Sequence, residues 1–298
     1  MVRPYLRAGA RLLGLVNREE AVRLNLLEVA NDVLIPPSLP SSDLTSWERE
    51  WSGADGIDMN DAGQLARLDE WRSFGPLFEM LRSDPAINTR GELGGPIQNH
   101  WYPTPDAESY AAMIASTRPR TILEVGGGYS TLIARRALDF VGDDASLIVV
   151  DPKPRIDVGA VATRVINARI EDMNIDELPL SEPLLLFIDS SRVTRTGGDV
   201  PFLYTRLIPR LETGSIVHVH DVTIPLDYPP RYQARFYTEQ YVLHALLIGS
   251  SRFKILFAGM YMSLQHPEAM TAVFGDAVPR ARRGGSLWFE VLAGPASS

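Results

Sequence analysis

Four acidic residues stand at or near the ends of apolar runs in this chain: Glu124 in TILEV, Asp151 after ASLIVV, Asp189 after LLLFI and Asp221 after SIVHVH. Such runs suit strands of a parallel sheet buried on both faces, and open sheets of that kind bind ligands beyond the carboxyl ends of their strands. Carboxylates gathered along that edge hold cationic groups, accept hydrogen bonds from hydroxyls, or take up a proton. Gly126, Gly127 and Gly128 follow Glu124 and Val125 and allow positive φ and close approach to a ligand. Ser130 and Thr131 then open an apolar helix over Leu132–Leu138. Strand, glycine loop and helix start form the nucleotide-cradling unit of a doubly wound α/β domain. Asp151 ends the next strand about 20 residues farther on, where a carboxylate accepts hydrogen bonds from both ribose hydroxyls.

That spacing serves a nicotinamide dinucleotide and S-adenosylmethionine alike. The loop, however, reads E-V-G-G-G-Y-S in place of G-x-G-x-x-G, and the strand delivers Glu124 just before it. A dinucleotide needs a helix N-terminus free for its pyrophosphate. S-adenosylmethionine has no phosphate and presents an ammonium matched by carboxylate and carbonyl oxygens. The sequence therefore favours S-adenosylmethionine, with Glu124, Gly126, Gly127, Gly128, Ser130 and Asp151 as binding residues. Asp189 and Asp221 should flank the reacting end. With His220 they make a ligand set for a hard divalent cation such as Mg²⁺. Without metal, His220 or Asp221 serves as general base, because displacement at a sulfonium methyl needs alignment and a deprotonated nucleophile. His218, two residues earlier on the same strand face, reads as a core histidine.

Glu124–Thr131 resembles the first motif of class I S-adenosylmethionine-dependent methyltransferases, and Asp151 resembles their ribose-binding acid. DPKPR at 151–155, LLLFIDSSRV at 184–193, GGDV at 197–200, IPRL at 208–211, HVHDVTIPLDYP at 218–229 and EQYVLHALL at 239–247 are similar to a bacterial subfamily, the methyltransferase-24-like proteins, found among natural-product or polysaccharide genes. The resemblance runs from Asn99 to Leu256. It departs at Arg192, where the pattern has His, and at Thr223, where it has an aromatic residue. What it implies is the class I methyltransferase fold, a Rossmann-like doubly wound, seven-stranded, mostly parallel sheet. It adds Pro152, Asp189, Ser190 and Ile170 to the cofactor residues, Ile170 as a flat contact for adenine. It also sets the connector bearing Asn99 and Tyr102 beside the methionine end, and Asn99, Tyr102, Arg192 and Thr223 toward the substrate. The implied reaction is methyl transfer to an oxygen of a small polar molecule, a natural product or sugar, with Asp189, His220 and Asp221 catalytic and Mg²⁺ as an optional partner. Two further readings stay open: a cyclase that closes S-adenosylmethionine to azetidine-2-carboxylate and methylthioadenosine, and a catalytically silent binding module.

The elements that must position these residues follow from pattern. From Pro119 strands and helices alternate, as a parallel sheet requires, with strands at Thr121–Val125, Ala145–Asp151, Thr163–Ala168, Leu184–Asp189, Ser215–Asp221, Phe253–Phe257 and Ser286–Leu292. Helices are expected at Asp106–Ser116, Phe202–Leu211 and Tyr237–Ile248. Residues 1–100 read as a helical extension that covers the pocket as a lid or pairs two copies of the chain, and 101–298 as the catalytic domain. Within the extension Asn17 and Glu20 cap a helix through Ile35, Ser46–Trp51 forms a short one, and Gln64–Leu81 forms a longer one split at Gly75-Pro76. Net charge is −8 with a pI near 5.2, which opposes a nucleic-acid substrate. The chain has no cysteine, so disulfides, thiolate metal sites and cysteine nucleophiles are excluded, and a reducing cytoplasm is compatible. No apolar run reaches the roughly 18 residues of a membrane span; Arg3, Arg7 and Arg11 mark a plain N-terminal arm rather than a targeting segment.

Overall fold

The computed structural model describes residues 28–30, 33–35, 54–89, 96–97, 99, 101–229, 232, 235–275 and 284–293. The chain divides into two compact units, 1–44 and 45–298. In the first, β1 (Glu28–Ala30) and β2 (Val33–Ile35) pair antiparallel, with Val29 opposite Leu34. The sequence predicts a helix through Ile35 here, and for residues 28–30 and 33–35 that expectation is corrected. Val29, Val33 and Ile35 are β-branched and favour extended backbone, and Asn31-Asp32 between the runs is a pair of turn-forming residue types. The stretch 17–27 and the short helix expected at Ser46–Trp51 lie outside the described residues.

The second unit begins with α1 (Asp61–Trp71), a 3₁₀ turn (Arg72–Phe74) and α2 (Gly75–Ser83). The break falls where Gly75-Pro76 predicts it, since proline at the first turn cannot continue the preceding helix. Then follow α3 (Asp106–Thr117), β3 (Thr121–Val125), α4 (Tyr129–Val141), β4 (Ser146–Val150), β5 (Arg164–Ile166) and β6 (Leu185–Ile188). A helical run opens as α5 (Asp199–Phe202) and passes through a π segment (Leu203–Leu207) to a 3₁₀ end at Arg210. It starts three residues before the predicted Phe202. Last come β7 (Ile216–Val219), α6 (Glu239–Leu247), β8 (Phe253–Ala258), α7 (Gly259–Gln265), α8 (Pro267–Phe274) and β9 (Leu287–Val291). Helices α7 and α8 were not anticipated.

The sheet order is β5-β4-β3-β6-β7-β9-β8. Neighbours from β5 to β7 run parallel, and β9 is antiparallel to both β7 and β8. This order and direction are those of the class I methyltransferase fold. Alternation sends Ile122, Leu185, Phe187 and Trp288 to one face with α1–α4, and Leu123, Val125, Leu186, Ile188, Val217 and Phe289 to the other. Helices α1 and α2 share the first of these cores: Leu68, Trp71, Leu77, Phe78 and Leu81 are buried in it, and the Trp71 ring meets Phe257 edge-on at 4.9 Å. These helices were assigned to the 1–100 extension; in the structure they are part of the sheet's own core. No helix among the described residues is long and apolar enough to cross a membrane.

Candidate active site

The chain leaves β3 for β4 and β5 on one side, then returns to β6 on the other, so the crevice of a doubly wound sheet opens between the carboxyl ends of β3 and β6. Backbone bonds lace its floor: the Asp189 amide donates to the Val125 carbonyl at 2.8 Å and the Gly126 amide to that of Val150 at 3.0 Å. Gly126 has φ +93°, and a Cβ there would sit 2.2 Å from the Asp189 carbonyl oxygen. A Cβ on Gly127 would lie 2.5 Å from Val149 Cγ1, whereas at Gly128 the nearest atom is Arg155 Cβ at 3.8 Å. Two of the three glycines are therefore required by the loop itself. Asp151 organises the same loop, with Oδ2 accepting from the Gly127 amide at 2.8 Å and Oδ1 from that of Lys153 at 2.7 Å. Its carboxylate is half-buried at the rim.

Glu124 faces away from this rim. It shares strand parity with Ile122, so its side chain enters the layer covered by α3 and α4, where it is fully buried. Oε1 accepts from the Tyr110 hydroxyl at 2.9 Å and Oε2 from the Thr131 hydroxyl at 2.5 Å. The Thr131 hydroxyl also accepts from the Gly128 amide at 3.1 Å. Burial pushes the Glu124 carboxyl up to about 7 against the opposing pull of hydrogen bonds from Thr131, Tyr110 and Ser130. Glu124 thus holds the glycine loop to α3 and α4 from behind.

At the other end of the crevice, charged side chains from three loops converge. The His220 Nδ1 lies 3.2 Å from Asp189 Oδ1, and Nε2 lies 3.6 Å from Asp106 Oδ2. The Tyr102 ring meets the His220 ring edge-on at 4.8 Å. Arg192 reaches both neighbouring carboxylates: its Nη2 contacts Asp189 Oδ1 and its Nε is 2.7 Å from Asp221 Oδ2, an ion pair whose N–H is not aimed along that line. Nη1 donates to the Ser190 carbonyl at 2.9 Å. Tyr232 donates to Asp221 Oδ1, and both Asp106 oxygens accept from the Gly285 amide. Burial lowers the Arg192 pKa, but the charge of Asp221 and neighbouring groups outweighs it and the net shift is upward. Among the described residues five that are not glycine have positive φ, and two of them, Arg192 at +62° and Asp221 at +59°, stand in this cluster. Such backbone is held only where its surroundings fix it. Here Asp199 accepts from the Ser191 amide and hydroxyl at 2.6 and 2.7 Å, and the Arg192 carbonyl accepts from the Thr238 and Glu239 amides at the start of α6.

The remaining predicted residues separate into two groups. Ser130 is buried in the first turn of α4, Pro152 is exposed beside Asp151, and the buried Ser190 hydroxyl has no hydrogen-bond partner among the described residues. Ile170 is buried in the core on the β3 Leu123 side of the sheet, in a 3₁₀ turn after β5. Asn99 and Thr223 hold backbone: Asn99 Oδ1 accepts from the Trp101 and Tyr102 amides, while the Thr223 hydroxyl sits 2.9 Å from Gln240 Oε1 and donates within its own loop. His218 is fully buried and stacked on Trp288 at 3.9 Å, and burial holds its pKa well below the usual histidine range. The crevice therefore gathers Gly126, Gly127, Asp151, Asp189, Arg192, His220 and Asp221, and does not gather Glu124, Asn99 or Thr223. A cavity of about 400 Å³ lies at the opposite, amino-terminal edge of the sheet, among Arg118, Arg120, Glu182 and Gly214. It is remote from every residue just described, and the position of the strand ends is the better guide to the site.

No family model matches the chain. An uncharacterized protein of Archaeoglobus fulgidus is 29% identical over 127 residues, covering 42% of this chain and 56% of that protein, so the match spans little more than half of the relative's length. Among solved structures the chain is similar to the O-methyltransferase TomG of Streptomyces achromogenes, involved in tomaymycin synthesis and bound to S-adenosylmethionine, at 14% identity over 85% of this chain and 99% of that one, with a TM-score of 0.38. It is similar also to an O-methyltransferase of Bacillus cereus bound to S-adenosylhomocysteine, at 14% identity over 84% of this chain and 100% of that one, with a TM-score of 0.39. Strand order and direction, not these scores, carry the fold.

Asp106, Asp199 and Tyr232 were missed in sequence. Asp106 follows Pro105 at the start of α3, a place where an acid ordinarily serves the helix N-terminus, and nothing in the sequence distinguishes it from such a residue. Tyr232 lies 11 residues from its partner Asp221 in a loop without periodicity.

Proposed function

We propose that the protein binds S-adenosylmethionine in the crevice between β3 and β6 and transfers its methyl group to an oxygen of a small polar molecule. The observation that supports this most is the pairing of a backbone-lined nucleoside end, Gly126–Gly127 held by Asp151, with an acid-rich end at Asp106, Asp189 and Asp221. A nucleoside whose other half is a sulfonium and an ammonium matches both ends, whereas a pyrophosphate would face carboxylates. Displacement at the methyl carbon needs the acceptor oxygen in line and its proton removed. His220, fixed between Asp189 and Asp106 and braced by Tyr102, is the group placed to take that proton. Incubation with S-adenosylmethionine and pooled hydroxylated small molecules, followed by mass spectrometry, tests the reading. S-adenosylhomocysteine formed only when an acceptor is present, together with an acceptor heavier by one methyl, is the expected result; methylthioadenosine formed without acceptor contradicts it.

A further inference from the structure

Asp189, His220 and Asp221 each offer a ligand atom, and the three atoms lie within 4.8 Å of one another, close enough to hold one ion. The surroundings do not fit one. A hard divalent cation binds through carboxylate oxygens that are free to approach it, Mg²⁺ at about 2.0–2.1 Å in near-octahedral order. Here the Asp189 oxygen nearest His220 already contacts the Arg192 guanidinium, one Asp221 oxygen is paired with Arg192 Nε, and the other accepts from Tyr232. We infer that Arg192 is the resident cation of this cluster and takes the place of a divalent metal between Asp189 and Asp221.

Arg192 is held in place from several directions. Its side chain is only 14% exposed, Nη1 is tied to the Ser190 carbonyl, and the Tyr237 ring lies 5.3 Å from the guanidinium carbon. Its main chain has φ +62° and its carbonyl receives two amides at the start of α6. A swing away from the cluster would take the guanidinium from two partly buried carboxylates while breaking these contacts. The planar fork of a guanidinium spans two carboxylates at once, which the point charge of a lysine does not. Arginine also carries its charge at every working pH, so the positive charge between Asp189 and Asp221 is permanent and does not depend on metal supply.

The test uses the full chain and Mn²⁺ as probe, followed by calorimetry and by the electron paramagnetic resonance signal of the free ion. The wild-type protein should bind no Mn²⁺ tighter than on the order of 0.1 mM, with or without S-adenosylmethionine. R192Q, which removes the charge and keeps hydrogen-bonding capacity, should gain one Mn²⁺ site, and R192Q/D189N should lose it again. R192K keeps a cation and should stay metal-free. Circular dichroism and a thermal melt establish that each variant is folded, and the wild-type measurement stands whatever the variants do. Stoichiometric Mn²⁺ binding by the wild type that D189N or D221N abolishes would overturn the inference, as would a folded R192Q that gains no site. These readouts do not use turnover, so they stand apart from the proposed methyl transfer; if that transfer is also right, excess chelator should leave its rate unchanged.

Discussion

The two ends of the crevice are built differently. The end at β3, where we propose the nucleoside sits, is made of backbone: Gly126, Gly127 and the amides that Asp151 receives, with Glu124 holding the loop from the buried side. The end at β6 and β7 is made of charge: four acidic or basic side chains and His220, brought from the starts or ends of different elements and balanced against one another. The first is rigid because a side chain at Gly126 or Gly127 has no room. The second is rigid because removing one member strands the others. One end should therefore break on a change of shape, the other on a change of charge.

The largest effect is expected at Gly126. Alanine there meets the Asp189 carbonyl at 2.2 Å and is forced into φ +93°, so G126A should lose about 3 kcal/mol or more by chemical denaturation and S-adenosylmethionine binding with it. Next comes Arg192 at the charged end. R192A should destabilise by about 2 kcal/mol, below the figure for a fully buried pair because Asp189 remains 29% exposed. Part of that loss should return in R192A/D221N, whereas R192A/G126A should show no such recovery.

Titration sharpens the comparison further. Burial pushes the Glu239 carboxyl up to about 8, with the charge of Arg192 pulling the other way, and Glu124 up to about 7, each from an ordinary 4.5. Between those limits the folded chain binds more protons than the unfolded one. Stability that is fully present below pH 4.5 is then lost as pH rises through 7 and 8, by at most about 1.4 kcal/mol per pH unit for each group. His218 acts oppositely, since its depressed pKa makes its contribution disappear as pH falls below 6.5. Urea melts of the wild type should show falling stability from pH 6.5 to 9, and E239Q should flatten that fall; an unchanged slope in E239Q would remove Glu239 as its source. The smallest expected effect is T131V, which takes one hydrogen bond from Glu124 and one from the Gly128 amide. About 1–2 kcal/mol should be lost, with a further rise in the Glu124 pKa.

The same difference explains what was legible in the sequence. Strand runs, the glycine loop and the spacing to Asp151 depend on local backbone rules; the seven-stranded, mostly parallel sheet is what the family resemblance implies, and the position and reversed direction of β9 rest on long-range pairing. Glu124 reads from sequence as a cofactor-binding acid at the end of a strand; in the structure its side chain shares the face of Ile122 under α3 and α4, where it accepts hydrogen bonds from Tyr110 and Thr131. The charged end depends on partners far apart in sequence: Asp106 to His220, Arg192 to Asp221, Tyr232 to Asp221. No periodicity announces such pairs. Arg192 reads from sequence as a substrate residue, and Asp189, His220 and Asp221 as a general-base site or as metal ligands; the sequence does not show that the guanidinium contacts both carboxylates. Residues 28–35 were read as helix from a spacing that short apolar runs also satisfy as strands.

The central claim, that the backbone-built end holds the nucleoside of S-adenosylmethionine, is tested most directly by calorimetry of the full chain with S-adenosylmethionine and with NAD. The expected result is one site for S-adenosylmethionine, no comparable site for NAD, and a loss of about 2–4 kcal/mol in D151A, on the order of 10²-fold in Kd, with the fold retained. Tighter binding of NAD, or S-adenosylmethionine binding that D151A leaves unchanged, would contradict the account.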